Sequence, residues 1–190
     1  MTEKLPPIIG THSGGSFNVL APDPADVRVG DIATVLSKIC RYTGHTTGFW
    51  SVADHSVEVA HRLEALGLGP TVALQGLLHD ASEAYLVDLA RPIKDNAWAG
   101  YREIEEQITL AICTKVGVEF PFHPAVKDVD DGMIRDEVAN FFPPYTFMWE
   151  RYKITSRSAS PYLCSFATRE ESRDHFYANY QRLQYLVSPQ

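Results

Sequence analysis

The segment 71–86 places ionisable residues on a helical pattern that is otherwise apolar. Projected at about 100° per residue, its apolar side chains surround the helix axis, which is typical of a buried helix. His79, Asp80 and Glu83 nevertheless share one arc of this helix. Burying two carboxylates and an imidazole is costly unless a cation or hydrogen bonds compensate. A bound metal ion is the economical interpretation, and a structural histidine with salt-bridged acids is the alternative.

Helical periodicity dominates the chain from Asp31 onward. The predicted helices, separated by Gly and Pro residues, cover 31–42, 52–66, 71–86, 97–116, 124–142 and 168–187. Residues 1–29 are rich in Pro and Gly and predict a loop with a short hairpin around Ser16–Leu20. The sequence therefore predicts an all-α fold with a short irregular or hairpin N-terminal segment, and its 190 residues fit a single domain.

The chain after residue 142 begins with a segment that lacks helical periodicity. Residues 143–166 carry aromatic side chains without a clear helical period, and the segment is long for a connection in a helical bundle. It is interpreted as a lid or subunit contact, or as a packed surface loop. In the last predicted helix, Phe176, Tyr180, Leu183 and Val187 form an apolar stripe, which predicts docking on the core.

Charge and composition exclude several classes of protein. The formal net charge of -7 argues against a nucleic-acid polymer as main partner, because that binding needs many Lys and Arg on one face. Residues 1–25 lack a basic, apolar leader and no apolar run reaches about 18 residues, so no membrane segment and a cytoplasmic location are expected. Cys40, Cys113 and Cys164 are widely spaced and are expected to be reduced, mostly buried thiols.

Two side chains rarely hold a divalent ion, so further ligands are expected on neighbouring helices. In the helix predicted over 52–66, His55 lies at the edge of the apolar face and is the third predicted ligand. Asp54 and His61 project to the other side, and His61 is interpreted as a solvated surface residue.

The helix predicted over 124–142 offers three acids near its start. Asp130 falls inside the apolar face, Asp131 lies on its flank and Asp128 lies opposite, so Asp130 is the fourth predicted ligand. Glu137 lies near Asp130, two turns further on the same face. It is interpreted either as a hydrogen-bond partner of the ligands or as a member of a helix-stabilising ion pair.

The predicted ligands His55, His79, Asp80 and Asp130 form a mixed nitrogen and oxygen site. Such a donor set suits Mn, Co, Ni, Fe, Cu or Zn better than Ca and does not distinguish among them. The sequence therefore predicts one divalent transition metal per site, with coordination positions left for water or a phosphate oxygen.

The order of these ligands along the chain, H...HD...D, resembles the HD superfamily of metal-dependent phosphohydrolases. Three stretches look like those of bacterial HD-domain 5'-deoxynucleotidases and related small HD hydrolases: SVADHS at 51–56, LHDASEAYLVDLARPIK at 78–94 and AVKDVD at 125–130. The likeness spans most of 30–142 and implies an HD-domain helical bundle with its core there.

The resemblance also implies roles for residues around the metal. Glu83, one turn after the HD pair, would help to activate water, and Asp88 would contribute to the catalytic site and nucleotide contact. The Arg41–Tyr42 pair in CRYTGH would contact the substrate, although the nucleotidases often have Trp after this Arg. Lys94 and Lys127 match lysines that meet phosphate oxygens in similar HD enzymes, including phage deoxynucleoside triphosphate hydrolases.

The implied reaction is attack of a metal-activated water on phosphorus. The expected activity is that of a 5'-deoxynucleotidase, which releases nucleoside and phosphate from a small nucleotide. A deoxynucleoside triphosphate triphosphohydrolase, acting for example on dATP and releasing tripolyphosphate, is one alternative. A non-catalytic nucleotide-binding HD module is another, and the family habit implies a homo-oligomer.

Other hydrolase and nucleotide-binding classes lack their motifs. The stretch HSGGS at 12–16 is not a G-x-S-x-G elbow and follows no clear strand. Neither a P-loop nor a G-x-G-x-x-G motif is present in the sequence, so kinase and nicotinamide chemistry are not expected.

Overall fold

The computed structural model describes residues 6–96, 100–156 and 168–188, which form a mainly helical fold with one two-stranded hairpin. The strands β1 (Ile8–Gly10) and β2 (Ser16–Asn18) pair antiparallel, with Ile9 opposite Phe17. The helices are α1 (Val29–Leu36), α2 (Val52–Ala65), α3 (Gly69–Leu78), α4 (Glu83–Leu86), α5 (Arg91–Asn96), α6 (Tyr101–Val116), α7 (Pro124–Phe141), α8 (Phe147–Arg151) and α9 (Arg169–Val187). The predicted all-α fold with an N-terminal hairpin is confirmed.

Helix α2 lies at the centre of the fold. Residues 51–60 are all buried, and the helix packs against α1, α3, α7 and α9. It begins at a capping box in which the Ser51 hydroxyl accepts a hydrogen bond from the Asp54 amide at 3.0 Å. The Asp54 carboxylate in turn accepts from the Ser51 amide at 3.2 Å. The prediction that Asp54 points away from the core is wrong, because the capping box holds its side chain in a buried position.

Two hydrophobic clusters make up the core, and α2 contributes to both. The larger cluster joins the hairpin with α1, α2, α3, α6 and α9. The smaller one joins α2 to α7 and α8 through residues such as Val59, Leu63, Met133 and Trp149. Because both clusters enclose α2, its buried polar side chains depend on partners from the protein rather than on water.

The helix predicted over 71–86 is interrupted. Helix α3 ends at Leu78, and α4 begins at Glu83 after a series of turns. The His79 ring donates from Nδ1 to the Gly76 carbonyl at 2.7 Å, which is the acceptor that the amide of Asp80 would use in a continued α-helix. The chain then tightens into i to i−3 hydrogen bonds, for example from the Glu83 amide to the Asp80 carbonyl.

Other helix limits differ from the predictions as well. Helix α1 ends at Leu36 rather than residue 42, and Arg41–Gly44 form a separate 3₁₀ turn. Helix α6 begins at Tyr101, while 97–99 lie outside the described residues. Helices α5 and α8 were not predicted. Helix α8 falls in the aromatic segment 143–166, whose residues from 157 onward also lie outside the described part of the chain.

Helix α9 docks on the core as its apolar stripe predicts, with Phe176 and Leu183 fully buried. The interpretation of His61 as a solvated residue is wrong. Its Nε2 lies 3.1 Å from the Asn179 side-chain oxygen, and its ring lies 5.6 Å from that of His175. His61 therefore belongs to the interface between α2 and α9. Each helix in the described part of the chain is too short or too polar to cross a membrane.

The close approach of α2 and α3 depends on Gly76. A Cβ atom at this position would overlap Leu63 Cδ1 and would lie 3.1 Å from Val59 Cγ1. We predict that Gly76→Ala lowers the free energy of unfolding by about 1–3 kcal/mol, because the overlap outweighs the helix propensity of Ala. Urea denaturation measures the change.

The control for this prediction is Gly132→Ala in α7, where a Cβ would meet no atom within 4 Å. The control should raise stability by up to about 1 kcal/mol through helix propensity alone. Equal effects of the two substitutions would contradict the assigned role of Gly76.

Candidate metal centre

Three side chains from separate parts of the chain converge at one point. His55 comes from α2, His79 from the turn after α3, and Asp130 from α7, and their ligand atoms all lie within 4.8 Å of one another. His55 Nε2 is 3.1 Å from Asp130 Oδ1 and 3.3 Å from His79 Nε2. Two imidazole nitrogens and a carboxylate oxygen at this spacing could hold a divalent transition metal.

Asp80, the fourth predicted ligand, lies beside this group. Its Oδ2 is 3.2 Å from His79 Nε2 and 3.7 Å from His55 Nε2. The same oxygen is 3.4 Å from Arg41 Nη1, so the carboxylate stands between the two imidazoles and a guanidinium.

The partners of the two rings determine which nitrogen carries the proton. His55 Nδ1 lies 2.7 Å from Glu137 Oε1, and His79 Nδ1 lies 2.7 Å from the Gly76 carbonyl. Because both of these oxygens are acceptors, both Nδ1 atoms donate, and the two Nε2 atoms are left to face each other. In this tautomer each neutral ring presents an Nε2 lone pair that a proton or a metal ion can occupy, and a separation of 3.3 Å beside Asp130 fits two ligands of one metal ion.

Neighbouring charges shift the pKa values of two candidate ligands, His79 and Asp130. Burial disfavours a charged imidazole, but the carboxylates of Asp80 and Asp130 outweigh it and raise the pKa of His79 well above its usual value. Burial also opposes ionisation of Asp130, yet its contacts with His55 and His79 hold its pKa far below the ordinary range. The group of ligands therefore has a strong electrostatic preference for positive charge.

Glu137 is the buried group that positions His55. It is fully buried, and its Oε1 accepts hydrogen bonds from His55 Nδ1 and, at 2.9 Å, from Trp50 Nε1. Burial opposes its ionisation, but Arg41 and His55 outweigh this effect and lower the pKa of Glu137 to about 2. Of the two interpretations of Glu137, the structure therefore shows the hydrogen-bond partner of a predicted ligand.

Arg41 and Tyr42, predicted to contact the substrate, lie against this same carboxylate. The guanidinium Nε is 3.2 Å from Glu137 Oε1, and the Tyr42 hydroxyl donates to Glu137 Oε2. Tyr42 has a φ of 55°, a left-handed conformation that is unfavourable for a bulky residue. Its hydrogen bond and its edge contact with Phe142, at 5.1 Å between ring centroids, hold it there.

The two predicted catalytic acids lie beside the ligands, with Glu83 buried and Asp88 half-buried. Burial, with the charges of Asp80 and Asp88, raises the pKa of Glu83 well above its usual value. Lys94 Nζ is 3.3 Å from Glu83 Oε1, whereas Glu83 Oε2 is buried without a hydrogen-bond partner among the described residues. Burial raises the pKa of Asp88 as well. The geometry therefore supplies a carboxyl group able to carry a proton, adjacent to the ligands.

Three of the candidate ligands, His79, Asp80 and Asp130, line an open cleft of about 540 Å³. Its cationic side chains are Arg91, Lys94, Arg102 and Lys127, and its carboxylates are Asp80, Glu105, Glu106 and Asp130. Lys94 also bonds Glu105 at 2.8 Å. Lys127 Nζ lies 3.8 Å from Asp130 Oδ2 and also contacts the Asp131 carboxylate. Arg91 Nη2 lies 3.2 Å from Asp131 Oδ1. Asp128, by contrast, is exposed on α7.

Several groups of this region gave no signal in the sequence. Trp50, Gln75 and Glu105 were missed, as were the aromatic residues Phe120 and Phe122 of the cleft. These residues meet groups from other elements of the fold, and helical projection of a single segment does not reveal such contacts.

The buried Arg41–Glu137 pair makes a testable contribution to stability. We predict that Glu137→Gln lowers the free energy of unfolding by about 3 kcal/mol, because the guanidinium loses its buried counter-charge. Tyr42→Phe removes a single hydrogen bond and should cost about 1 kcal/mol. Urea denaturation in the presence of EDTA measures both without a contribution from metal, and equal losses would contradict the assigned ion pair.

Comparison with known proteins gives the family of the chain. No family model matches it. It is 34% identical to RCAP_rcc00048, an uncharacterized protein of Rhodobacter capsulatus, over 68% of this chain and 71% of that protein. It is 35% identical to the uncharacterized protein YfdR of Escherichia coli, over 68% of this chain and 69% of that protein. The chain belongs to the same family as YfdR and RCAP_rcc00048.

Proposed function

We propose that this protein is a divalent-metal-dependent phosphohydrolase of the HD type that hydrolyses a nucleoside monophosphate to nucleoside and phosphate. The observation that carries the proposal is the facing pair of imidazole nitrogens in His55 and His79, with Asp130 beside them. Two of these residues, His79 and Asp130, line a cleft whose walls also carry Lys and Arg side chains. Such an arrangement suits a phosphate ester whose oxygens meet a cation and ammonium groups.

His55, His79 and Asp130 would hold the metal, with Asp80 as the fourth ligand. When bound, a divalent ion supplies Lewis acidity, which lowers the pKa of water and offsets charge on phosphate oxygens. Glu137 would keep His55 in the required tautomer, and the Gly76 carbonyl would do the same for His79.

Glu83 is the proposed acid–base residue. Its carboxyl group is buried beside the ligands, and its pKa is raised by burial and by neighbouring carboxylates. A carboxylate whose pKa is raised accepts a proton from water more readily than an ordinary carboxylate does. Lys94 Nζ lies 3.3 Å from Glu83 Oε1, and the buried Oε2, which has no hydrogen-bond partner among the described residues, is the oxygen assigned to this exchange. Asp88 would assist by keeping the pKa of Glu83 raised.

The charge of the cleft supports a monophosphate over a triphosphate. The cleft lining contains four carboxylates and four Arg or Lys side chains, so their charges cancel. A bound divalent ion would leave an excess of about two positive charges, which matches the charge of a phosphate monoester at pH 7. A triphosphate carries about twice that charge.

Two other functions, triphosphate hydrolysis and nucleotide binding without catalysis, are distinguished by the test of activity. Arg91 and Lys127 are 58% and 63% exposed at the rim of the cleft, where they could meet further phosphate groups of a triphosphate such as dATP. A non-catalytic nucleotide-binding module would retain the metal but not the turnover. A homo-oligomer and a cytoplasmic location remain predictions from the sequence.

The metal assignment predicts different effects for two neighbouring acids of α7. Asp130→Asn should abolish or weaken metal binding by at least about tenfold, because a metal ligand loses its charge. Asp128→Asn removes the same charge from an exposed position and should leave binding unchanged. Elemental analysis after dialysis against Mn, Co, Ni, Fe, Cu or Zn gives the metal content, and equal retention by both variants would refute the site.

The activity itself is tested by a substrate screen. Ribo- and deoxynucleoside mono-, di- and triphosphates are incubated with each metal, and phosphate, pyrophosphate and tripolyphosphate are identified among the products. We expect phosphate from monophosphates. Glu83→Gln should lower kcat by at least about a hundredfold while the protein keeps its metal. Absence of turnover on every nucleotide would overturn the enzyme proposal, and tripolyphosphate as main product would replace the monophosphate assignment.

A further inference from the structure

The cleft is larger than a phosphate group requires. Its volume of about 540 Å³ lies in the range of pockets that enclose whole small organic molecules, roughly 300–1,000 Å³. Besides the charged groups, the lining includes Phe120, Phe122 and His123 from the loop that precedes α7. The remainder of a phosphate ester therefore has both space and an aromatic surface to contact.

The two phenylalanines form a defined aromatic unit. Their ring centroids are 5.3 Å apart in an edge-to-face arrangement with an interplanar angle of 87°. Phe122 also packs against both hydrophobic clusters of the core, which fixes its position. Phe120 is only partly buried and lines the cleft. An aromatic ring that borders an open polar cleft can bury more of its surface when a planar ligand group lies against it.

Gln75 ties this aromatic loop to the helix that leads to His79. Its side-chain nitrogen donates to the Glu119 carbonyl at 3.3 Å, and its side-chain oxygen accepts from the His123 amide at 2.9 Å. Gln75 is buried in α3, one turn before His79. One amide side chain therefore holds both ends of the loop 119–123 at a fixed position relative to the candidate metal ligands.

We propose that the loop 119–123 is a nucleobase-binding wall, with Phe120 as the residue that contacts the base. The inference rests on the proposed function, which places the phosphate at the ligands. Contact between an aromatic ring and a base depends little on the identity of the base, because every base has a π-face. The proposal therefore implies a protein that requires a base but tolerates purines and pyrimidines alike.

The test compares equilibrium binding of three probes: dAMP, dTMP and deoxyribose 5-phosphate, which lacks the base. Calorimetry uses the full chain as its metal-loaded Glu83→Gln variant, which is expected to keep its metal and to turn over slowly, and each further substitution is made in that variant. We expect both nucleotides to bind at least about tenfold more tightly than deoxyribose 5-phosphate. Phe120→Ala should weaken both nucleotides by about tenfold and leave deoxyribose 5-phosphate unchanged. Phe120→Tyr, which keeps the ring, should restore the nucleotide affinity.

The matched control is Phe147→Ala in α8, which removes a ring that is 70% exposed and lies outside the cleft lining. It should change none of the three affinities. The base wall is overturned if deoxyribose 5-phosphate binds as tightly as the nucleotides, if Phe120→Ala weakens all three probes equally, or if none of them binds.

Failure of this inference is distinguishable from failure of the proposed function. Base-dependent binding without turnover in the substrate screen would remove the phosphohydrolase and leave the base wall. Turnover of deoxyribose 5-phosphate at the rate of the nucleotides, unaffected by Phe120→Ala, would remove the base wall and leave the phosphohydrolase.

Discussion

The hydrogen bond between Glu137 and His55 is the interaction on which the candidate site depends. It joins the central helix α2 to α7 at a point where neither side chain reaches water. A buried carboxylate is tolerated only with charge and hydrogen-bond partners, and here Arg41, Tyr42 and Trp50 supply them. The same contacts fix the orientation of the His55 ring, so core stability and ligand geometry are coupled.

With His55 fixed from one side and His79 from the other, their Nε2 atoms face each other at 3.3 Å. Asp130 adds a carboxylate there, and Asp80 adds another at its border. Without a cation the neighbouring carboxylates of Asp80 and Asp130 repel each other, and a bound divalent ion would relieve this repulsion. This is the physical basis of the proposed metal site.

The cleft combines two kinds of surface that the fold supplies from different elements. Charged side chains come from α5, α6 and the first turns of α7, while the aromatic loop before α7 is held to α3 by Gln75. A ligand with a charged end and a planar end matches this division. The proposed phosphate site and the proposed base wall are therefore two parts of one cleft, and different contacts hold each in place.

The sequence by itself determined the helical class, the hairpin, the docking of α9 and the placement of His55, His79 and Asp130 on or beside apolar helix faces, because hydrophobic periodicity is a local property. The convergence of these three residues within 4.8 Å was decided by the tertiary structure. The sequence could not show that the segment 71–86 breaks after α3, where the His79 ring takes the Gly76 carbonyl as its acceptor. The partners of Glu137, the position of His61 against α9 and the aromatic wall of the cleft were decided by tertiary structure. Each depends on which elements meet in space, and the period of one helix contains no information on its neighbours.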